Sequence, residues 1–209
     1  GRNYGINERE ISTLVNSKYP LFSVVSSNSE KTMDLASRLL ANKNIIGLYL
    51  GKSEFGPRAL GNRSVLAAPS CIEIKTFINS KVKCRESFMP LAATIMEEYV
   101  SEYFDDTVSQ YMLLAPSVKP LMRSKISGIL HNDGSCRTQK LSRDDNPKFY
   151  NLLNCFYSLT GTPILLNTSM NRKGEPIVET INDALAWFNS VPLSYLIIDD
   201  FLIKKSVSC

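Results

Sequence analysis

Apolar residues along this chain switch between helical and strand spacing, and the switches outline the fold. Between Ser29 and Ala41, Met33, Leu35, Ala36, Leu39 and Leu40 fall on one side of a 3.6-residue period, which predicts an amphipathic helix. Residues 7–18 predict another, with an Asx start at Asn7. Pro147 opens a third through Leu159, with Phe149, Leu152, Leu153 and Phe156 on its inner side and Gly161-Thr-Pro163 ending it. Ser70 to about Asn79 and Thr180 to Phe188 read as two more, each behind a hydroxyl cap. Short apolar runs at 45–50, 65–68, 91–96, 111–115, 128–131 and 164–166 predict strands, and 195–204 closes the chain as one or two more. Helices alternate with short strands without a regular βαβ count. That pattern predicts an α/β (α+β) domain on a twisted mixed, largely antiparallel sheet.

The 209 residues suffice for one sizeable core, so 1–209 is expected to be a single domain. Its opening residue is Gly1 rather than Met, and a piece of a longer protein is expected. A net charge of +4 suits anionic small molecules as well as nucleic acid, but no long basic run favours the latter. Five cysteines (Cys71, Cys84, Cys136, Cys155, Cys209) form no C-x-x-C pair, so neither a zinc ribbon nor a disulfide framework is supported. A single histidine, His131, excludes a multi-histidine metal centre, and no protein-held metal site is expected. Without a signal peptide or an apolar run of membrane length, the chain reads as cytoplasmic, with reduced thiols and no membrane partner.

The stretch from Gly51 to Ser64 changes the picture most. It follows the apolar run Ile45–Leu50 and carries Lys52, Arg58 and Arg63, with Gly56-Pro57 and Gly61 turning the chain between them. A glycine-punctuated loop brings backbone N–H groups close to an anion while guanidinium forks grip it, so these residues and Asn62 are candidates for phosphate contact. Gly47-Leu-Tyr-Leu-Gly51-Lys52-Ser53 imitates a Walker A motif but has three residues between its glycines, all apolar. Two further clusters are ambiguous alone. In Asn79–Glu86, Lys81, Lys83 and Arg85 share a face if the segment is extended; a solvated strand would look the same. In Asn167–Glu175, short donors at Asn167, Ser169 and Asn171 precede Gly174, which suits a ligand or a surface turn equally. Asn132-Asp-Gly134 predicts a hairpin turn, with Arg137 on its return strand and His131 read as structural. No activated nucleophile is visible. Arg, Lys, Ser and Asn suit phosphoryl or nucleotidyl transfer, where catalysis is positioning plus charge stabilisation.

Glu54-Phe-Gly-Pro-Arg-Ala-Leu-Gly-Asn-Arg-Ser64, Lys81-Val-Lys-Cys-Arg-Glu86 and Leu165-Leu-Asn-Thr-Ser-Met-Asn-Arg-Lys-Gly-Glu-Pro-Ile-Val178 resemble the C-terminal domain of the O-carbamoyltransferases. That family includes enzymes of nodulation-factor and antibiotic tailoring, and the likeness runs from Gly1 to Lys204. It implies a YrdC-like fold that handles ATP and a carbamoyl donor with a Lys-x-Arg and Ser-x-Asn tetrad, matched here by Lys83, Arg85, Ser169 and Asn171. It also implies carbamoyl phosphate and ATP, with Mg2+, as reactants. Carbamoyl-adenylate would form here and pass to an acceptor hydroxyl in an N-terminal kinase-like domain, where any iron would also sit. Arg58 and Arg63 would then be further phosphate clamps, Asn167 a support for the loop and Arg137 a lesser contact. The chain departs from the family pattern at Lys52, Cys84, Met89 and 132–136. An RNA-binding module, or a lobe that binds nucleotide without turnover, is the alternative. Acceptor and oligomeric state stay open.

Overall fold

The computed structural model describes residues 2 and 4–206; Gly1 and Cys209 lie outside the described residues. Eight strands form one sheet: β1 Phe22–Ser26, β2 Ile46–Tyr49, β3 Arg63–Ala67, β4 Ala92–Met96, β5 Thr138–Leu141, β6 Ile164–Ser169, β7 Tyr195–Ile198 and β8 Phe201–Lys205. Their spatial order is β1-β8-β7-β2-β3-β6-β4-β5. Only β2–β7 and β4–β5 run parallel, so the sheet is mixed and largely antiparallel, as the sequence pattern predicts.

Both faces of this sheet are covered, which is why its central strands are buried along nearly their whole length and mostly apolar rather than alternating. Helices α1 (Glu8–Lys18), α2 (Ser29–Ala41), α3 (Ile72–Phe77), α4 (Val100–Tyr103), α5 (Pro147–Thr160) and α6 (Ile181–Ser190) supply the layers. On one face α2 and α5 bury Met33, Leu40, Phe149 and Phe156 against Ile46, Leu48, Leu66 and Leu165. On the other, α1 and α6 bury Ile11, Val15, Trp187 and Phe188 with Val65, Leu196 and Ile198. The rest of that face, Ala67, Ala93, Ile95 and Leu166, packs with Ile74 of α3 and with Ile126. Successive strand residues thus divide between the two faces, as the pleat requires.

Caps explain where helices begin. Asn7 accepts from the Glu10 amide while the Glu10 carboxylate accepts from the Asn7 amide, and Thr180 and Asp183 repeat the arrangement at α6. Asn146 accepts from the Phe149 amide ahead of Pro147, and Gly161 ends α5 at φ 67°. The helix expected behind Ser70 starts instead after Cys71, without a side-chain cap, and runs on into a π-helical turn, Ile78–Val82.

Two expected strands are absent and two others appear. Residues 111–115 form no strand, and 128–131 belong to the turn that follows a 3-10 stretch, Pro120–Ile126. The hairpin turn at Asn132-Asp-Gly134 is present, closed by the His131 amide donating to the Ser135 carbonyl at 2.8 Å, with Gly134 at φ 82°. In place of the missing strands the sheet takes β1 and β5, its two edges. No helix among the described residues is long and apolar enough to cross a membrane.

Candidate active site

Strands β2 and β6 finish at the same end of the sheet where β3, β4 and β5 begin, because β3 and β4 both run antiparallel to β6. The loop Leu50–Asn62 caps that end. Gly61 must be glycine there: its φ is 101°, and a Cβ would lie 2.3 Å from the Phe149 ring.

The loop's own anion is Glu54. Its Oε1 accepts main-chain N–H bonds from Leu60, Asn62 and Arg63 at 2.8, 2.9 and 3.0 Å, and its Oε2 accepts from the Asn62 side chain at 3.2 Å. The nest of amides expected to meet phosphate is thus filled from within the protein, and Asn62 is tied up with it. Arg63 is also inward. It is 0% exposed, lies 3.4 Å over the Tyr49 ring, and donates to the carbonyls of Leu50, Gly51, Lys52, Asn62 and Glu179. The expectation of a phosphate clamp at Arg63 is corrected by this geometry. With its fork spent on carbonyls, Arg63 holds the loop in shape. Lys52 is exposed on the loop's rim.

Asn167, also expected to touch phosphate, is fully buried. Its amide donates to the Ala59 carbonyl at 3.2 Å, to Thr94 Oγ1 at 2.9 Å and to Gln139 Oε1 at 3.3 Å. Thr94 Oγ1 donates to Gln139 Oε1 at 2.8 Å, and Gln139 Nε2 donates to the Leu60 carbonyl at 3.0 Å. Three neighbouring strands therefore hold Ala59 and Leu60 from below, directly beside Arg58. Thr94 and Gln139 escape the sequence reading, although a lone hydroxyl in an otherwise apolar strand is the signal of a buried hydrogen bond.

Three of the four tetrad residues, Lys83, Ser169 and Asn171, meet directly. Lys83 is 4% exposed, and its Nζ donates to the Ser169 carbonyl at 2.7 Å, to Ser169 Oγ at 2.9 Å and to Asn171 Oδ1 at 2.5 Å. Ser169 Oγ donates to Asn171 Oδ1 at 2.6 Å, and Asn171 Nδ2 donates to the Glu175 carbonyl at 2.7 Å. Burial, then the Arg85 charge, push the Lys83 ammonium down to about 7, with Glu175 pulling the other way. Arg85 hangs from Asn79: its Nε donates to Asn79 Oδ1 at 2.8 Å and its Nη2 to the Pro90 carbonyl at 3.2 Å. Asn79 is fully buried on the π-helical turn and donates to the carbonyls of Ser87 and Met89. Asn79 was visible in the sequence as part of its cluster, but nothing there marks it as Arg85's holder. The segment is not extended, so Lys81 does not share a face with Lys83: Lys81 is exposed on the π turn while Lys83 is buried.

Arg137, just ahead of β5, completes the cluster. Its Nε is buried and has no hydrogen-bond partner among the described residues, and its pKa is lowered by burial and then by the Arg58 and Arg85 charges. Lys83, Arg85, Arg137 and Arg58 therefore form one run of cations, and none of the four ion pairs among the described residues uses any of them. A cavity of about 560 Å³ opens at Arg58 and Arg137, and one of about 570 Å³ at Asn171. A larger one, about 680 Å³ between α1 and the start of α6, contains no residue of this cluster. The arrangement suits an extended polyanion, held by forks and an ammonium whose own partners are neutral.

The sequence signature described as Carbamoyltransferase C-terminus matches residues 37–205. This chain belongs to that carbamoyltransferase C-terminal family. The nodulation protein NolO of Bradyrhizobium diazoefficiens is 42% identical over 183 residues, covering 84% of this chain and 33% of that protein. An uncharacterized protein of Methanocaldococcus jannaschii, MJ1058, is 38% identical over 179 residues, covering 85% of this chain and 29% of its own length. The carbamoyltransferase C-terminal chain thus spans about a third of the curated relatives it matches. Its fold is YrdC-like. A full-length HypF, in a phosphate- and nucleotide-bound form, superposes at TM-score 0.54 with 16% identity, over 89% of this chain and 23% of HypF. Sua5 of P. abyssi, complexed with L-threonine, superposes at 0.54 with 13% identity, over 81% of this chain and 47% of Sua5.

Proposed function

We propose that this domain activates a carbamoyl group with ATP, forming carbamoyl-adenylate from carbamoyl phosphate for transfer to an acceptor hydroxyl elsewhere in the full protein. The observation that carries the reading is the run Lys83, Arg85, Arg137 and Arg58, drawn together without a carboxylate partner among the described residues. Clustering four cations is unfavourable unless an anion joins them. Family membership, and a fold shared with a phosphate- and nucleotide-bound HypF, support a nucleotide phosphate as that anion.

Atom balance sets the order of events. Water first splits carbamoyl phosphate into carbamate and inorganic phosphate. A carbamate oxygen then attacks the α-phosphorus of ATP in line; the new P–O bond forms as the bond to pyrophosphate breaks, and pyrophosphate leaves with its electron pair. Arg85 and Lys83 neutralise the oxygens of the phosphorus under attack, while Arg58 and Arg137 hold the departing phosphates. Ser169 and Asn171 fix Lys83 and present short polar groups to the carbamoyl end. No group of three or more His, Cys, Asp or Glu among the described residues is arranged to hold a metal. A Mg2+ arriving with the triphosphate is held largely by phosphate oxygens and water, so these residues fit it without such a cage.

The RNA-binding alternative finds less support, since Lys83 is buried and Arg58 and Arg137 line a cavity, so the cations do not form an open exposed track. Replacement of Arg85 by Ala is expected to lower donor-dependent pyrophosphate release by roughly 100-fold or more, the scale of losing one preorganised charge contact. Release that persists in Arg85→Ala at the wild-type rate would sink the assignment.

A further inference from the structure

Every N–H of the Lys83 ammonium is taken up within the protein. An ammonium has three donors, and these go to the Ser169 carbonyl at 2.7 Å, Ser169 Oγ at 2.9 Å and Asn171 Oδ1 at 2.5 Å, all neutral. A phosphate oxygen can therefore accept from Nζ only if one of the three is given up. Asn171 Oδ1 is released at least cost, because it still accepts from Ser169 Oγ at 2.6 Å, and Asn171 stays anchored by donating to the Glu175 carbonyl. That bond, however, helps to tie the loop after β6 to the turn that carries Lys83 and Arg85. Two other contacts join the same segments. The Lys173 amide donates to the Lys83 carbonyl at 2.9 Å, and Lys173 Nζ meets Glu86 Oε1 at 2.9 Å. Of the four ion pairs among the described residues, only this one links the two tetrad segments.

We propose that Glu86 and Lys173 are positioning residues: their pair holds the 169–175 loop on the 83–86 turn while Lys83 turns from Asn171 to a phosphate oxygen. The inference rests on reading the cation run as a nucleotide-phosphate site. Glu86 follows Arg85 directly and its charge acts on that guanidinium, so the carboxylate has two effects of opposite sign. As a bare negative charge beside the cations it opposes an incoming polyanion, and removing it should tighten binding. As half of the clasp it keeps the two segments together, and removing it should weaken binding. The clasp is exposed, 60% at the Lys173 side chain and 50% at Glu86, so it adds little to the stability of the fold.

Titration calorimetry with ATP and Mg2+ on wild type, Glu86→Gln, Glu86→Lys and the exchanged pair Glu86→Lys with Lys173→Glu tests the proposal. Glu86→Gln is expected to weaken ATP binding about threefold, the scale of one exposed ion pair. Glu86→Lys sets two ammonium groups against each other and should weaken it further, although it adds positive charge. The exchanged pair keeps the net charge and remakes the contact, so it should bind within about twofold of wild type. Urea midpoints of all four should agree, since both side chains are exposed. Binding that is unchanged or tighter in Glu86→Gln and Glu86→Lys would leave only the field of the carboxylate, overturning the positioning role with the phosphate reading intact. Binding that falls in step with the urea midpoint would show a purely structural staple, and binding that stays weak in the exchanged pair would show that the contact is not what matters; either result overturns the proposal. If wild type bound no ATP, the phosphate reading would fall and the positioning role with it.

Discussion

Lys83 reaches Ser169 and Asn171 from a backbone that turns left-handed at the next residue, Cys84, at φ 51°. A non-glycine residue held there is strained, and such strain gathers where a site dictates the geometry. The turn separates the two cations of Lys83-Cys-Arg85, sending the first under β6 and the second back to Asn79. Lys83's depressed pKa, about 7, makes the site's charge depend on pH. In the free protein the ammonium loses its proton as pH rises through that value; a phosphate dianion beside it raises the pKa again, so binding near pH 8 takes up protons. Calorimetric titration with ATP at pH 8, in two buffers of different ionisation enthalpy, should show an uptake of about half a proton or more, absent in Lys83→Met. Equal heats in both buffers would contradict the assignment. The sign for stability is opposite. Between about 7 and the ordinary 10.5 the unfolded chain still binds the proton that the unliganded fold has lost, so this group adds stability as pH rises.

At the scale of elements, the loop between β2 and β3 is a built object. Glu54 fills its amide nest, Arg63 staples its carbonyls from beneath, and Asn167, Thr94 and Gln139 hold Ala59 and Leu60 in place. Glu54→Ala removes one carboxylate that serves three main-chain amides. It is expected to cost roughly 2–4 kcal/mol in urea unfolding, since partly buried donors lose a charged acceptor; a loss under about 0.5 kcal/mol would show the nest to be solvated instead. These elements also show what the sequence can and cannot carry. The helices at Asn7, Pro147 and Thr180 were legible because caps and period agree, and the central strands because both their faces are covered. Strand β5, Thr-Gln-Lys-Leu, was not, because its polar residues belong to a buried hydrogen-bond network that no local pattern announces. The run at 111–115 misled for the converse reason: its apolar residues serve a cavity wall rather than the core. The Lys-x-Arg and Ser-x-Asn pairs were visible as motifs, but that Lys83 touches Ser169 and Asn171 depends on a contact across 86–88 residues of chain. Arg63 looked like a free cation because nothing in its neighbours shows that five carbonyls converge on it.

Over the whole molecule, a mild net charge of +4 hides a strong local one. Most surface cations are scattered or paired, as at Arg38–Asp34 and Lys148–Asp200, while Lys83, Arg85, Arg137 and Arg58 converge at one end of the sheet. That end is where the two central loops and the edge strand β5 come together, so the mixed topology itself assembles the site. The chain spans about a third of its curated relatives. Activation is the part proposed for this domain. The most direct test is an acid-quenched mass-spectrometric assay of the chain with ATP, Mg2+ and carbamoyl phosphate. Carbamoyl-adenylate that needs both substrates and disappears in Arg85→Ala is the expected result. Bound ATP with no carbamoyl-adenylate, from this chain and from the full-length protein alike, would contradict it.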